Sequence, residues 1–373
     1  MKLSSKHILG LALVAGLLLG GTLPAAPAPD RSLTPETRRQ LIDLVLTKIS
    51  AGYVLPDVAR AMEASVRKLA LSGAYDQVQD KAELGRKLTT DLRQVNADPH
   101  LGVALRPAID DPMTNNPNAK ERQEYFEIGR LTNFGFESVQ RLRGNVGYLD
   151  LREFSPADAA ATTTAAAMEF LRHTDALIID LRDNVGGTTR MNVLLASYLF
   201  GEKSVHLGNI EWRGVARAQE LWTFTTLAGD RYVGKPLYLL TSSRTFSQAE
   251  AFAYELQWLK RATVVGEKSA GGAHLVERVK LDADLDLWLP TGRFRHPTTG
   301  KNWEGTGVKP DVSAPEREAF STAYLLALEG LRARNTDPLL NDSYDEAIAA
   351  TRLRLEQLRN SREAPRGIET AAR

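Results

Sequence analysis

Not one of the 373 residues is a cysteine. That absence excludes disulfides, thiolate catalysis, cysteine-based zinc sites and a lipid-modified N-terminal cysteine. A surplus of either charge is missing as well: 47 Lys and Arg face 46 Asp and Glu, a formal net charge of +1. Such a balance gives no electrostatic case for nucleic acid or an anionic membrane surface as a partner. None of the six histidines lies in a His-Glu-x-x-His pattern, so no metal is expected, and nothing calls for another cofactor. There is no Gly-x-Ser-x-Gly, the strand-to-helix elbow of the α/β-hydrolases. No internal repeat is visible. Beyond residue 28 no run is apolar enough to cross a bilayer.

What the chain does have is an ordinary globular composition, 43% hydrophobic and 25% charged, enough for a sizeable core. Residues 1–28 read as an export signal. Lys2 and Lys6 precede an apolar run from Ile8 to Leu19, and Ala26-Pro27-Ala28 resembles a cleavage site. The expected destination is a periplasm or the exterior, with no stable membrane span once the signal is removed. Residues 33–106 read as a small helical bundle. Thr34-Pro35-Glu36 is a cap followed by proline, and Leu41, Leu44, Val45 and Ile49 recur at helical spacing. Residues 107–142, rich in Asp-Pro and Asn-Pro turns, read as a linker. From 143 to 315 the periodicity alternates: strands at Val146–Leu151, Ala176–Leu181, Leu237–Leu240 and Ala262–Val265 are separated by helices. This predicts an α/β domain with much parallel sheet. Alternating residues between 275 and 290 add antiparallel strands. Residues 316–373 hold two helices and a tail, the second helix charged and facing solvent.

In such sheets the chemistry sits where strands end and helices begin. Three junctions carry unusual residues: Asp180-Leu181-Arg182-Asp183-Asn184-Val185-Gly186-Gly187, then Thr245-Phe246-Ser247-Gln248-Ala249-Glu250, then Asn302-Trp303-Glu304-Gly305-Thr306-Gly307. Alone, the first reads as a tight turn, the second as a helix cap and the third as little more than a loop.

In this order and spacing they resemble the signature segments of peptidase family S41, in the branch related to tricorn protease and interphotoreceptor retinoid-binding protein. The resemblance is clear over about 145–315 and looser before it. It implies a crotonase/ClpP-like βα core with mixed sheet behind the N-terminal bundle, and hydrolysis of a peptide or protein substrate. It further implies Ser247 as nucleophile, three residues before Glu250. The oxyanion hole would use the amide of Gly186 or Gly187 together with that of Gln248. The C-terminal processing members carry a lysine base where this chain has Gly272, so a Ser–Lys dyad is not expected. The tricorn-like branch uses a histidine and a glutamate, which match His100 in Asp98-Pro99-His100 and Glu304. Pro99 stands where tricorn has a further hydroxyl, a role Asp98 partly fills. Asp98 and His274 are placed along a substrate groove, although His274 reads equally as a loop residue. The alternative is a non-catalytic ligand- or peptide-binding protein on the same scaffold. If His100 is the base, its ring is expected within hydrogen-bond reach of Ser247.

Overall fold

The computed structural model describes residues 32–106 and 119–361. The expected export signal and the turn-rich stretch before residue 119 lie outside them. Three helices come first: α1 (Pro35–Gly52), α2 (Pro56–Leu71) and α3 (Lys81–Val95). The Thr34 hydroxyl accepts from the Thr37 amide at 3.1 Å, Asp80 accepts from Glu83 N at 2.8 Å, and prolines open α1 and α2. Their apolar faces bury Val45, Leu46, Ile49, Met62, Leu84, Leu88 and Leu92 together.

This bundle is not self-contained. After α3 the chain forms β1 (Gly102–Leu105), which pairs antiparallel with a strand from far along the sequence, β10 (Leu285–Arg295). Leu285, Leu287 and Leu289 of β10 complete the core of the bundle.

Residues expected to be a linker instead carry α4 (Ala119–Leu131) and β2 (Phe136–Leu142), and β2 is an edge strand of the main sheet. Then follow β3 (Val146–Leu151), α5 (Ala157–Leu171), β4 (Ala176–Asp180) and α6 (Thr189–Tyr198). A hairpin of β5 (His206–Trp212) and β6 (Gln219–Trp222) comes next, then β7 (Leu237–Thr241), α7 (Gln248–Trp258), β8 (Thr263–Gly266) and β9 (His274–Lys280). After β10 the chain ends in β11 (Val312–Ser313), α8 (Glu316–Arg334) and α9 (Pro338–Asn360).

The main sheet runs β11-β8-β7-β4-β3-β2, parallel except for β2. Its central strands β3, β4, β7 and β8 are largely apolar because both faces are covered. In β4, Leu177 and Ile179 pack with α5, α6 and α7, whereas Ile178 faces α8 and α9. The second helix of the C-terminal pair is therefore not simply solvent-facing, since Tyr344, Ala347 and Ile348 cover the sheet. The other sheet runs β1-β10-β5-β6 with β9 also on β10. Its register sets β1 and β9 on opposite edges of β10, with Gly102 and Arg278 both paired to Trp288, and so carries the N-terminal residues onto the main domain.

Candidate active site

β4 and β7 are parallel neighbours, so the loops leaving their C-terminal ends emerge side by side. The first loop carries Gly186 and Gly187, and the second carries Ser247 at the N-cap of α7. The approach is close: a Cβ on Gly186 would stand 2.7 Å from Ser247 Cβ, and one on Gly187 would stand 2.2 Å from the Phe154 carbonyl. Both glycines have positive φ, 106° and 134°. Asn184 pins the loops together, donating to Leu151 O at 2.8 Å, accepting from Gly186 N at 2.9 Å and from Phe246 N through its own carbonyl at 3.0 Å.

Ser247 itself has φ 55° and ψ −118°, a backbone region that a side chain ordinarily avoids. Glu250 holds it there. Oε2 accepts from the amides of Ser247 and Gly272 at 2.8 Å each, while Oε1 accepts from Gly271 N and Ser269 Oγ at 2.6 Å each. One buried carboxylate thus ties the serine to the loop before β9. Glu250→Ala leaves these donors without their acceptor and is expected to cost at least about 3 kcal/mol. Urea unfolding measures this, and a loss below about 1 kcal/mol would refute the structural role.

The loop before β1 supplies Asp98 and His100. Asp98 is fully buried and accepts from Tyr53 Oη at 2.9 Å, from His274 Nδ1 at 2.7 Å and from the His100 amide at 2.9 Å. Because a carboxylate only accepts, His274 carries its proton on Nδ1. Although burial opposes it, these bonds hold Asp98 below the usual carboxylate range. Asn96 donates in turn to Tyr53 Oη at 2.7 Å. His274 is therefore no loop residue. It opens β9 with a buried ring, and it also borders the pocket beside Ser247.

The His100 ring stacks on Phe246, centroids 4.4 Å apart, and lies against Gly272. Both ring nitrogens are shielded and without a hydrogen-bond partner among the described residues, so the bond expected from Ser247 is not made. Catalytic contacts of this kind are often long until substrate is bound. Burial pushes the ring down to about 4, with Asp98 opposing and His274 and Arg93 adding to the effect.

Glu304 completes the group: Oε2 accepts from Ala273 N at 2.6 Å and His274 N at 3.2 Å. Burial pushes its carboxyl up to about 7, countered by His274 and reinforced by Asp98. Ligand-capable atoms of Asp98, His100 and Glu304 lie within 4.8 Å of one another. That spacing also suits a cation, but Asp98 and Glu304 already accept several hydrogen bonds from the protein.

The sequence-predicted residues thus come from five stretches of the chain, at 98–100, 186–187, 247–248, 274 and 304; Asn184 and Phe246, quoted only as members of those junctions, take structural parts, and Tyr53 and Glu255 join without having been singled out. Glu255 did carry a signal: it is a charged residue four and eight positions after Ala251 and Ser247, on the face of α7 that they share.

Residues 145–314 match the model of peptidase family S41. Residues 26–128 match the N-terminal domain of these peptidases as found in eukaryotic IRBP. Carboxyl-terminal-processing peptidase 2 of Arabidopsis thaliana is 25% identical over 313 residues, 82% of this chain but 52% of that protein. The chain therefore spans about half the length of this relative. Among solved structures, a lipoprotein from Streptococcus agalactiae superposes with a TM-score of 0.54 at 15% identity, covering 81% of this chain and 99% of the other. The tricorn protease superposes at 0.51 with 14% identity, covering 87% of this chain and 38% of the other. These two show a shared fold.

Proposed function

The chain belongs to peptidase family S41, and we propose that it is an exported serine peptidase cleaving protein or peptide substrates through an acyl-enzyme on Ser247. The observation that carries this reading is the strained Ser247 backbone at the start of α7, held by Glu250 directly against the Gly186 loop. A mere helix cap needs no such conformation.

Ser247 Oγ attacks the scissile carbonyl while His100 takes its proton, later passing it to the leaving amine. Water then hydrolyses the ester. Glu304, close to the ring, stabilises the imidazolium formed in the transition state. Asp98 positions His100 through its backbone amide and His274 through its ring. The Gly186 amide is spent on Asn184, which leaves Gly187 N–H and Gln248 N–H, at the helix start, for the oxyanion.

Export rests on the leader-like residues 1–28 and on relatives described as chloroplastic. No helix among the described residues is long and apolar enough to cross a membrane. The non-catalytic alternative gains one observation, the missing Ser247–His100 bond.

Labelling by a fluorophosphonate, read by intact mass, separates the two. A single adduct is expected, absent in Ser247→Ala. Its sign with pH follows from the site: His100 is neutral above about 4, whereas Glu304 becomes ionised only above about 7. The labelling rate therefore rises through about pH 7, and in Glu304→Gln that limb moves to lower pH. No adduct on folded protein would favour the binding reading. An unmoved limb in Glu304→Gln would remove Glu304 from the mechanism.

A further inference from the structure

Beside Ser247 a narrow pocket runs along α7, walled by Ile210, Leu221, Leu275, Phe294 and Trp303. Apolar walls beside the nucleophile are ordinary for a substrate pocket. What is unusual is Glu255 among the lining residues. Ser247, Ala251 and Glu255 follow one another at four-residue spacing, so they share a face of the helix. The serine stands at one end of that face and the carboxyl at the other.

Glu255 is fully buried, and neither carboxyl oxygen has a hydrogen-bond partner among the described residues. No basic side chain lies among the residues lining the pocket except His274, and that ring is bonded to Asp98. Burial pushes the Glu255 carboxyl well above its ordinary range, with Asn192 pulling the other way. Asn192 sits close by, but its Nδ2 donates to Gln248 Oε1 and its Oδ1 is unpartnered. An unsatisfied buried carboxyl costs stability, and a fold keeps one where a function repays it.

We propose that Glu255 is a specificity-determining residue, which selects a long, unbranched basic side chain on the N-terminal side of the scissile bond. This rests on the reading of Ser247 as nucleophile. With the acyl group on Ser247, the side chain of the residue that supplies the scissile carbonyl is the one nearest the pocket. Eight helical residues rise about 12 Å, and the Glu255 side chain leans back toward the helix N-terminus. The pocket is narrow at rest, about 10 Å³, so an entering side chain must part its apolar walls; the remaining span is too long for alanine or valine and is that of a lysine or arginine stem. The methylenes lie along the apolar walls, and the cation meets the carboxyl. On binding, Glu255 releases its proton to solvent and the pair is left as carboxylate and cation, each desolvated and each partnered.

The test is a set of peptides identical except at that one residue, carrying lysine, glutamine, norleucine or glutamate, with kcat/KM read for each. Wild type is expected to prefer lysine to norleucine by at least about tenfold. Glu255→Gln loses that preference, and Glu255→Leu reverses it. The glutamine variant is nearly isosteric, which keeps the test open if the leucine variant misfolds. An unchanged ranking across both variants would overturn the proposal and assign Glu255 to a neutral contact with Asn192. A wild-type preference for norleucine would overturn it as well. Fluorophosphonate labelling of wild type runs in parallel. Labelled enzyme with no basic preference sinks only the pocket assignment, whereas absent labelling sinks the serine reading and this one with it.

Discussion

Ser247→Gly is expected to make the protein more stable and inactive at once. The backbone at Ser247, φ 55° and ψ −118°, lies where glycine is at ease and other residues are strained. Such strain costs about 1–3 kcal/mol. Glycine gives back roughly 0.5–1 kcal/mol through its freer unfolded chain. The balance is a gain of about 1 kcal/mol, or a few degrees in Tm for a domain of this size. The bonds made by Glu250 survive, because they reach the backbone amide of residue 247 and not its hydroxyl. Hydrolysis should fall by about 10⁴–10⁶, as when a nucleophile that acts in concert with a base is removed. Ser247→Ala should lose as much activity without gaining stability, since alanine keeps the Cβ that causes the strain. Thermal melts and kcat/KM on the three proteins decide it. A glycine variant no more stable than wild type would mean that residue 247 carries no strain, and a catalytic role for the serine would lose its main support.

The main sheet could be read from the chain because its central strands are covered on both faces. Val146–Leu151, Leu237–Thr241 and their neighbours are apolar runs whose ends barely move between sequence and structure. β2, β5 and β6 escaped for the opposite reason. β2 is an edge strand carrying Glu137, Gln140 and Arg141, and Trp222 of β6 is exposed, so neither offers a continuous apolar signal. The site was legible where chemistry is local, as at Gly186-Gly187 and Ser247. It was not legible where the fold does the work. Nothing in the sequence joins His100 to His274. That junction depends on Gly102–Leu105 pairing with Leu285–Trp288, a long-range register set by the core that β10 shares with the bundle. Tyr53 reaches Asp98 only through tertiary packing, and Asn96, from the same loop as Asp98, donates to the Tyr53 hydroxyl there.

The second large effect belongs to His100 and to the glycine beside it. A side chain at Gly272 would place Cβ 2.3 Å from Phe246 Cε2 and 2.6 Å from His100 Cε1, too close for the stacked pair to remain. Trp303 fixes this backbone by donating to the Gly272 carbonyl at 2.9 Å, so the loop cannot simply back away. Gly272 is the position at which the sequence resemblance puts the lysine of the Ser–Lys members. Here the absent side chain is what gives the imidazole its place. His100→Ala is therefore expected to lower kcat/KM by about 10³–10⁶. Gly272→Ala, which leaves every polar group intact, is expected to lower it by about 10²-fold through displacement of the ring. Because both act through one imidazole, the double variant should be little worse than His100→Ala alone. His274→Ala is the control. It removes the ring that bridges Asp98 and the pocket, and it should cost less than His100→Ala. If instead His274→Ala were the more damaging and His100→Ala nearly silent, the Asp98–His274 pair would be the working base, and the roles of the two histidines would have to be exchanged.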